Sequence, residues 1–169
     1  MSNKVLVVAL AVQIQAVFVC SSDAQERAYK APRAVEHSLT IRCRQNQVKA
    51  GSDISVEVVE TNTSLHEIDT VFITKPPGLG ELLYRAYVRN EKGDLVPETE
   101  YGREIRTGEV AVGSSSFLGS LKPGQSKIDT LILNKLYDLS QPGKYTVQVE
   151  GGDAKAGTKS NTITVVVTK

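Results

Sequence analysis

The chain has no Trp, and only 5% of its 169 residues are aromatic. Surfaces that stack sugars or single-stranded bases usually need exposed aromatic faces, so this shortage disfavours both roles. An excess of one charge is also missing. The 20 Lys and Arg residues stand against 19 Asp and Glu, with no basic block or stripe, which argues against a nucleic-acid partner. Cysteine is scarce, with only Cys20 and Cys43. Removal of a leader containing Cys20 would leave Cys43 alone, so no internal disulfide is expected even in oxidising surroundings. No membrane span is expected either. The one apolar run, residues 5–20, is broken by Gln13 and Gln15 and falls short of the ~20 residues a span needs.

Catalytic patterns are absent as well. His37 and His66 are the two histidines, neither has metal-ligand spacing, and no Cys cluster supports them. No Gly-x-Ser-x-Gly elbow occurs. Ser114, Ser115 and Ser116 follow Gly113 and read as a polar loop entering a strand. Glu98 and Glu100 sit in a mixed-charge run with nothing to hold them as a catalytic pair. Asp53, Asp69, Asp94, Asp129, Asp138 and Asp153 lie near strand ends without the dense spacing of a calcium loop. Turn formation accounts for them, because Asp bonds nearby backbone. Gly93, Gly124 and Gly143 are too scattered to cradle a phosphate. The expectation is a non-enzyme with no cofactor and no metal.

What is present begins with a leader. Residues 1–4 are short and basic, residues 5–20 apolar, and Ser22 and Ala24 supply small residues for a signal peptidase. This predicts a signal peptide over 1–24 and a secreted or periplasmic destination. Phe18 and Val19 precede Cys20, and neither is small, which ranks a lipid anchor at Cys20 below plain secretion. Residues 25–36 are polar, contain Pro32, and read as a flexible leader. Residues 37–169 suit one domain, large enough to bury a core without staples.

From His37 onward the apolar period is two. Leu39, Ile41 and Cys43 mark one inward face, with Cys43 expected as a small buried residue. Ile54, Val56 and Val58 mark the next, after a turn over 48–52, and Asn62 closes that strand. Asn62-Thr63-Ser64 is also a glycosylation sequon, read here as turn chemistry. Residues 66–73 form a less regular strand with Ile68, Val71 and Ile73. Pro76 and Pro77 then impose a crossover loop. Leu82, Tyr84, Ala86 and Val88 follow, a hairpin turn at Gly93, and a return strand starting at Leu95 and Val96. Strands are expected over 116–121 and 128–133, joined by a Pro123-Gly124 turn, and over 162–168 with Ile163, Val165 and Val167 inward. No helix is expected.

Residues 138–149 are the most informative stretch. Leu139 and Gly143 form a tight corner that feeds a strand carrying Tyr145, Val147 and Val149. That is the sequence form of a tyrosine corner, in which the Tyr hydroxyl bonds backbone a few residues upstream. Val147 occupies the position where antibody-type domains carry a Cys, so the corner points to a disulfide-free relative. The predicted fold is all-β: an immunoglobulin-like antiparallel β-sandwich of about 7–9 strands.

Several of these segments together resemble a known class. Ile54-Ser55-Val56-Glu57-Val58 with Asn62-Thr63-Ser64, Tyr84-Arg85-Ala86-Tyr87-Val88 with Asn90-Glu91-Lys92-Gly93, Leu121-Lys122-Pro123-Gly124-Gln125, Gly143-Lys144-Tyr145 and Ser160-Asn161-Thr162-Ile163-Thr164-Val165 are similar to small secreted bacterial immunoglobulin-like proteins. The arrangement also resembles the BsuPI type of proteinase inhibitor domain. The first resemblance implies a non-catalytic binding or structural module that meets an unknown protein partner, expected to be a monomer. The second implies an inhibitor that offers an exposed loop. Residues 98–113 are the candidate, with Tyr101, Arg103 and Arg106 as interaction residues and either Arg able to enter an acidic pocket. Solvated surface charge is the competing reading of both arginines.

Overall fold

A computed structural model describes residues 36–75, 80–108, 115–151 and 157–169. The expected signal peptide and nearly all of the leader lie outside the described residues. So do Pro76 and Pro77, residues 109–114 and Asp153.

Nine strands appear among the described residues, and their order carries the fold. β1 (His37–Cys43), β3 (Ser55–Asn62) and β7 (Ser126–Ile132) make one antiparallel sheet with β3 central. The second sheet runs β2 (Gln47–Lys49), β9 (Ile163–Thr168), β8 (Gly143–Gly151), β5 (Tyr84–Arg89). Its pairs are antiparallel except β2 with β9, which is parallel. β4 (Ile68–Lys75) and β6 (Ser115–Leu121) pair antiparallel as a separate ribbon.

Alternation fills the space between the sheets. Leu39, Ile41, Val56 and Val58 from one side meet Ala86, Val88, Val147, Val149, Val165 and Val167 from the other, all buried in one cluster. Each such Val, Leu or Ile side chain contributes about 1.5–3 kcal/mol on burial. β-branched residues dominate because they suit a pleated, packed surface. The topology and this core make the chain an immunoglobulin-like β-sandwich.

Several details depart from the expectations above. The turn expected at 48–52 begins at Ala50, because Val48 and Lys49 belong to β2, which pairs with β9 in the second sheet. Leu82 belongs to a 3-10 turn (Gly80–Leu82) and is exposed, while Tyr84, Ala86 and Val88 are inward. The return strand at Leu95 is reduced to an isolated bridge with Arg89. Cys43 is only half-buried, at a strand end, with its thiol against the Gln45 and Ser55 carbonyls.

Among the described residues two α-helices occur where none was expected. α1 (Glu100–Thr107) starts at Thr99, whose hydroxyl accepts from the Gly102 N–H at 3.0 Å. It stops at Gly108, which takes φ 74°, a left-handed value that favours glycine. α2 (Leu133–Leu136) is a single turn that buries Leu133 and Leu136.

Asn62 is fully buried. Its amide donates to the His66 and Leu121 carbonyls at 2.7 and 2.8 Å and accepts from the Ser64 N–H and hydroxyl. This satisfied amide ties the end of β3 to the end of β6 and leaves the side chain no access to a glycan in the folded state.

Candidate functional site

Within the mixed-charge run over 98–113, α1 occupies residues 100–107, where a solvated, exposed loop was expected, and residues 109–113 lie outside the described residues. Gly102 sets the position of α1. A Cβ at that residue would overlap the Leu136 carbonyl oxygen, so glycine lets α1 lie directly on α2. The Thr99 N–H donates to the same carbonyl at 2.9 Å, which fixes the start of the helix on α2.

The three candidate interaction residues are thereby separated. Tyr101 is half-buried against the core and donates its hydroxyl to Glu81 Oε1 at 3.1 Å. Burial and the nearby Glu81 charge push the Tyr101 hydroxyl up to about 12. Arg103 and Arg106 are exposed, and both reach back to Glu98. Arg103 donates to the Glu98 carbonyl at 3.1 Å. Arg106 Nε reaches the Glu98 carboxylate oxygens at 3.1 and 2.9 Å.

Beneath α1 lies a cleft of about 380 Å³. Its walls come from the 3-10 turn (Glu81, Leu82), β5 (Arg85, Tyr87), α1 (Ile105, Arg106), Leu136 and Tyr137, and the end of β8 (Glu150). Glu81 is 9% exposed, and its Oε2 has no hydrogen-bond partner. Burial therefore raises its carboxyl above the ordinary range, against smaller opposing contributions from hydrogen bonds and from Lys135. Tyr137 donates its hydroxyl to the Ala86 carbonyl, and burial lifts it to about 12. Glu98, Arg85, Tyr87 and Arg106 are all near enough to act on that hydroxyl electrostatically. Arg85 from β5 and Glu98 and Arg106 from the 98–106 stretch thus line the cleft around the Tyr137 hydroxyl.

The corner residues lie elsewhere and serve the fold. Tyr145 is buried, and its hydroxyl donates to the Gln141 carbonyl at 2.7 Å. Leu139 is buried in the core, and Gly143 opens β8.

On the β4–β6 ribbon Phe72 and Phe117 are register partners, stacked with centroids 5.1 Å apart. Gly119 admits the stack, since a Cβ there would meet the Phe72 ring at 2.8 Å. Leu118, opposite Val71 on the other ribbon face, is 71% exposed, and Phe117 is 53% exposed.

A buried charge cluster fastens the ribbon to the first sheet. Lys127 donates to the Val71 carbonyl at 2.6 Å. Its Nζ lies 2.8 Å from Asp129 and 3.6 Å from Glu60. The Tyr84 hydroxyl bonds Asp129 at 2.8 Å and Glu60 at 3.2 Å, and Thr70 donates to Glu60. Burial, then the two carboxylates, push the Tyr84 hydroxyl well above its ordinary value. It is therefore a donor at neutral pH.

Among the described residues no three His, Cys, Asp or Glu side chains are grouped to hold a metal. No helix among them is long and apolar enough to cross a membrane.

No family model matches the chain. No curated protein matches it either. Solved structures do. The CARDB domain of a Pyrococcus furiosus protein, in complex with di-metal ions, is 14% identical at a TM-score of 0.43, covering 78% of this chain and 91% of that one. A β-glucosidase from Listeria innocua in complex with glucose is 13% identical at a TM-score of 0.41 over 79% of this chain. An alkylpurine DNA glycosylase from Pseudomonas fluorescens, bound to DNA containing an abasic site analog, is 10% identical at 0.43 over 80%. The matched region spans 16% of the glucosidase and 31% of the glycosylase.

Proposed function

We propose that the chain is a non-catalytic, extracytoplasmic binding module that acts through contact with another protein. The β4–β6 ribbon carries this reading. A two-stranded ribbon is marginal by itself in water, and this one exposes Phe117 and Leu118 on opposite faces. Neither strand pairs with a third among the described residues. Exposed apolar side chains beside open strand edges are the usual makings of a protein contact surface. The extracytoplasmic part rests on the apolar run over residues 5–20.

The test is site-specific cross-linking in the native extracytoplasmic fraction. A photoreactive group at Leu118 should yield a discrete adduct that Phe117→Ser abolishes. The same group at Arg103 should not. Equal labelling from both positions would refute the ribbon as the contact.

The BsuPI-like alternative has Arg103 or Arg106 entering a protease pocket. Both lie on α1 and are engaged by Glu98, whereas a protease cleft takes an extended segment, so this alternative has less support. Inhibition of any member of a panel of serine, cysteine and metallo-proteases would restore it.

A further inference from the structure

Arg85 on β5 and Glu150 on β8 are register partners, and both line the cleft. Opposite charges directly across a ladder ordinarily attract and close. Here each turns to Tyr87 instead. The Arg85 guanidinium lies 5.2 Å from the centroid of the Tyr87 ring. Glu150 accepts the Tyr87 hydroxyl at 3.0 Å and the Gly157 N–H at 3.2 Å. No ion pair among the described residues includes Arg85.

One tyrosine therefore holds a cation and an anion side by side without letting them neutralise each other. The guanidinium retains a planar fork of donors suited to a carboxylate. The carboxylate retains lone pairs suited to an ammonium. Of the other charges in the cleft, Glu98 is paired with Arg106, and Glu81 accepts the Tyr101 hydroxyl at Oε1 while its Oε2 is buried without a hydrogen-bond partner. Ile105 and Leu136 supply an apolar wall. A volume of about 380 Å³ falls within the usual range of small-ligand sites.

We propose that this cleft binds a small zwitterion of the α-amino-acid type with an apolar side chain. Its carboxylate meets Arg85, its ammonium meets Glu150, and its side chain packs on Ile105 and Leu136. The same two charges occur singly at the ends of a peptide, so the probes separate the two sources. Neither the ribbon nor its partner enters this reading.

The test is isothermal titration calorimetry on the full chain with leucine, N-acetyl-leucine and leucinamide. Leucine should bind saturably, and each blocked probe should bind at least about tenfold more weakly. Arg85→Gln and Glu150→Gln should each weaken leucine by a similar factor, and Arg103→Ala should leave it unchanged. Absence of saturable leucine binding overturns the proposal. So does a blocked probe that binds as well as leucine, since one charge alone would then suffice, as for a peptide end.

Discussion

Replacing Lys127 by Met preserves an apolar stem of similar length and removes only the ammonium. Lys127 is 6% exposed, and Glu60 beside it is fully buried. In the native chain the ammonium bonds the Val71 carbonyl, bonds Asp129 at 2.8 Å and sits 3.6 Å from Glu60. It also lies 5.5 Å from the Phe72 ring centroid and 5.8 Å from that of Tyr84. The variant leaves two carboxylates in a low-dielectric layer without their cation. Breaking a buried pair from one side costs about 3–5 kcal/mol, because the remaining charge loses its compensation. For a domain of this size that lowers the thermal midpoint by roughly 10–20 °C. Urea unfolding followed by circular dichroism measures it directly, with the midpoint falling and the slope preserved. Glu60→Gln added to Lys127→Met should recover part of the loss, since the second change removes a stranded charge. A Lys127→Met midpoint within about 1 kcal/mol of the native value would refute the idea that this cluster fastens the ribbon.

Three further outcomes follow from other parts of the fold. Glu81 titrates higher folded than unfolded, so folding takes up a proton; its contribution is most favourable below the ordinary 4.5 and is lost as pH rises through the folded value. Glu81→Gln should therefore raise the thermal midpoint at neutral pH, with the gain shrinking as the solution is acidified; a gain that persists in acid would contradict this. Tyr145→Phe removes the bond to Gln141 and should cost about 1 kcal/mol in denaturant unfolding, an unchanged midpoint being the contrary result. Gly102→Ala should cost about 1–3 kcal/mol and lift α1 from α2, seen as faster hydrogen exchange over 99–107; native exchange rates there would show that the helix can shift freely.

The sandwich was largely legible from the period-two pattern. Val56, Val58, Val147 and Val149 lie inward as their alternation demands, and strands of that kind at short spacing leave few architectures. The helix over 100–107 was not, because charge dominates its composition and its anchor is Gly102 on Leu136, a contact invisible without tertiary structure. Thr99 and Gly108 have the residue types that start and stop a helix, but only eight residues lie between them and charge fills half of those positions. Lys127 could not be read as inward. A lysine is ordinarily solvated, and its partners Glu60 and Val71 become neighbours only when β3 and β4 fold against β7. The outward row Arg85, Tyr87 and Arg89 follows from alternation alone, but the position of Glu150 opposite Arg85 depends on strand register.

The parallel pairing of β2 with β9 bears on how the domain responds to force. β2 stands near the start of the sandwich and β9 near its end, running side by side in the same direction. Tension applied to the two ends of the domain would drag these strands lengthwise past each other. Their ladder, extended by the bonds from Ala50 to Thr168 and from Val166 to Asn46, would then be strained all at once instead of rung by rung. Adjacent antiparallel strands pulled apart from a shared end would unzip at much lower load. Under such a load the three-residue strand Gln47–Lys49 would be the part of the sandwich that resists first.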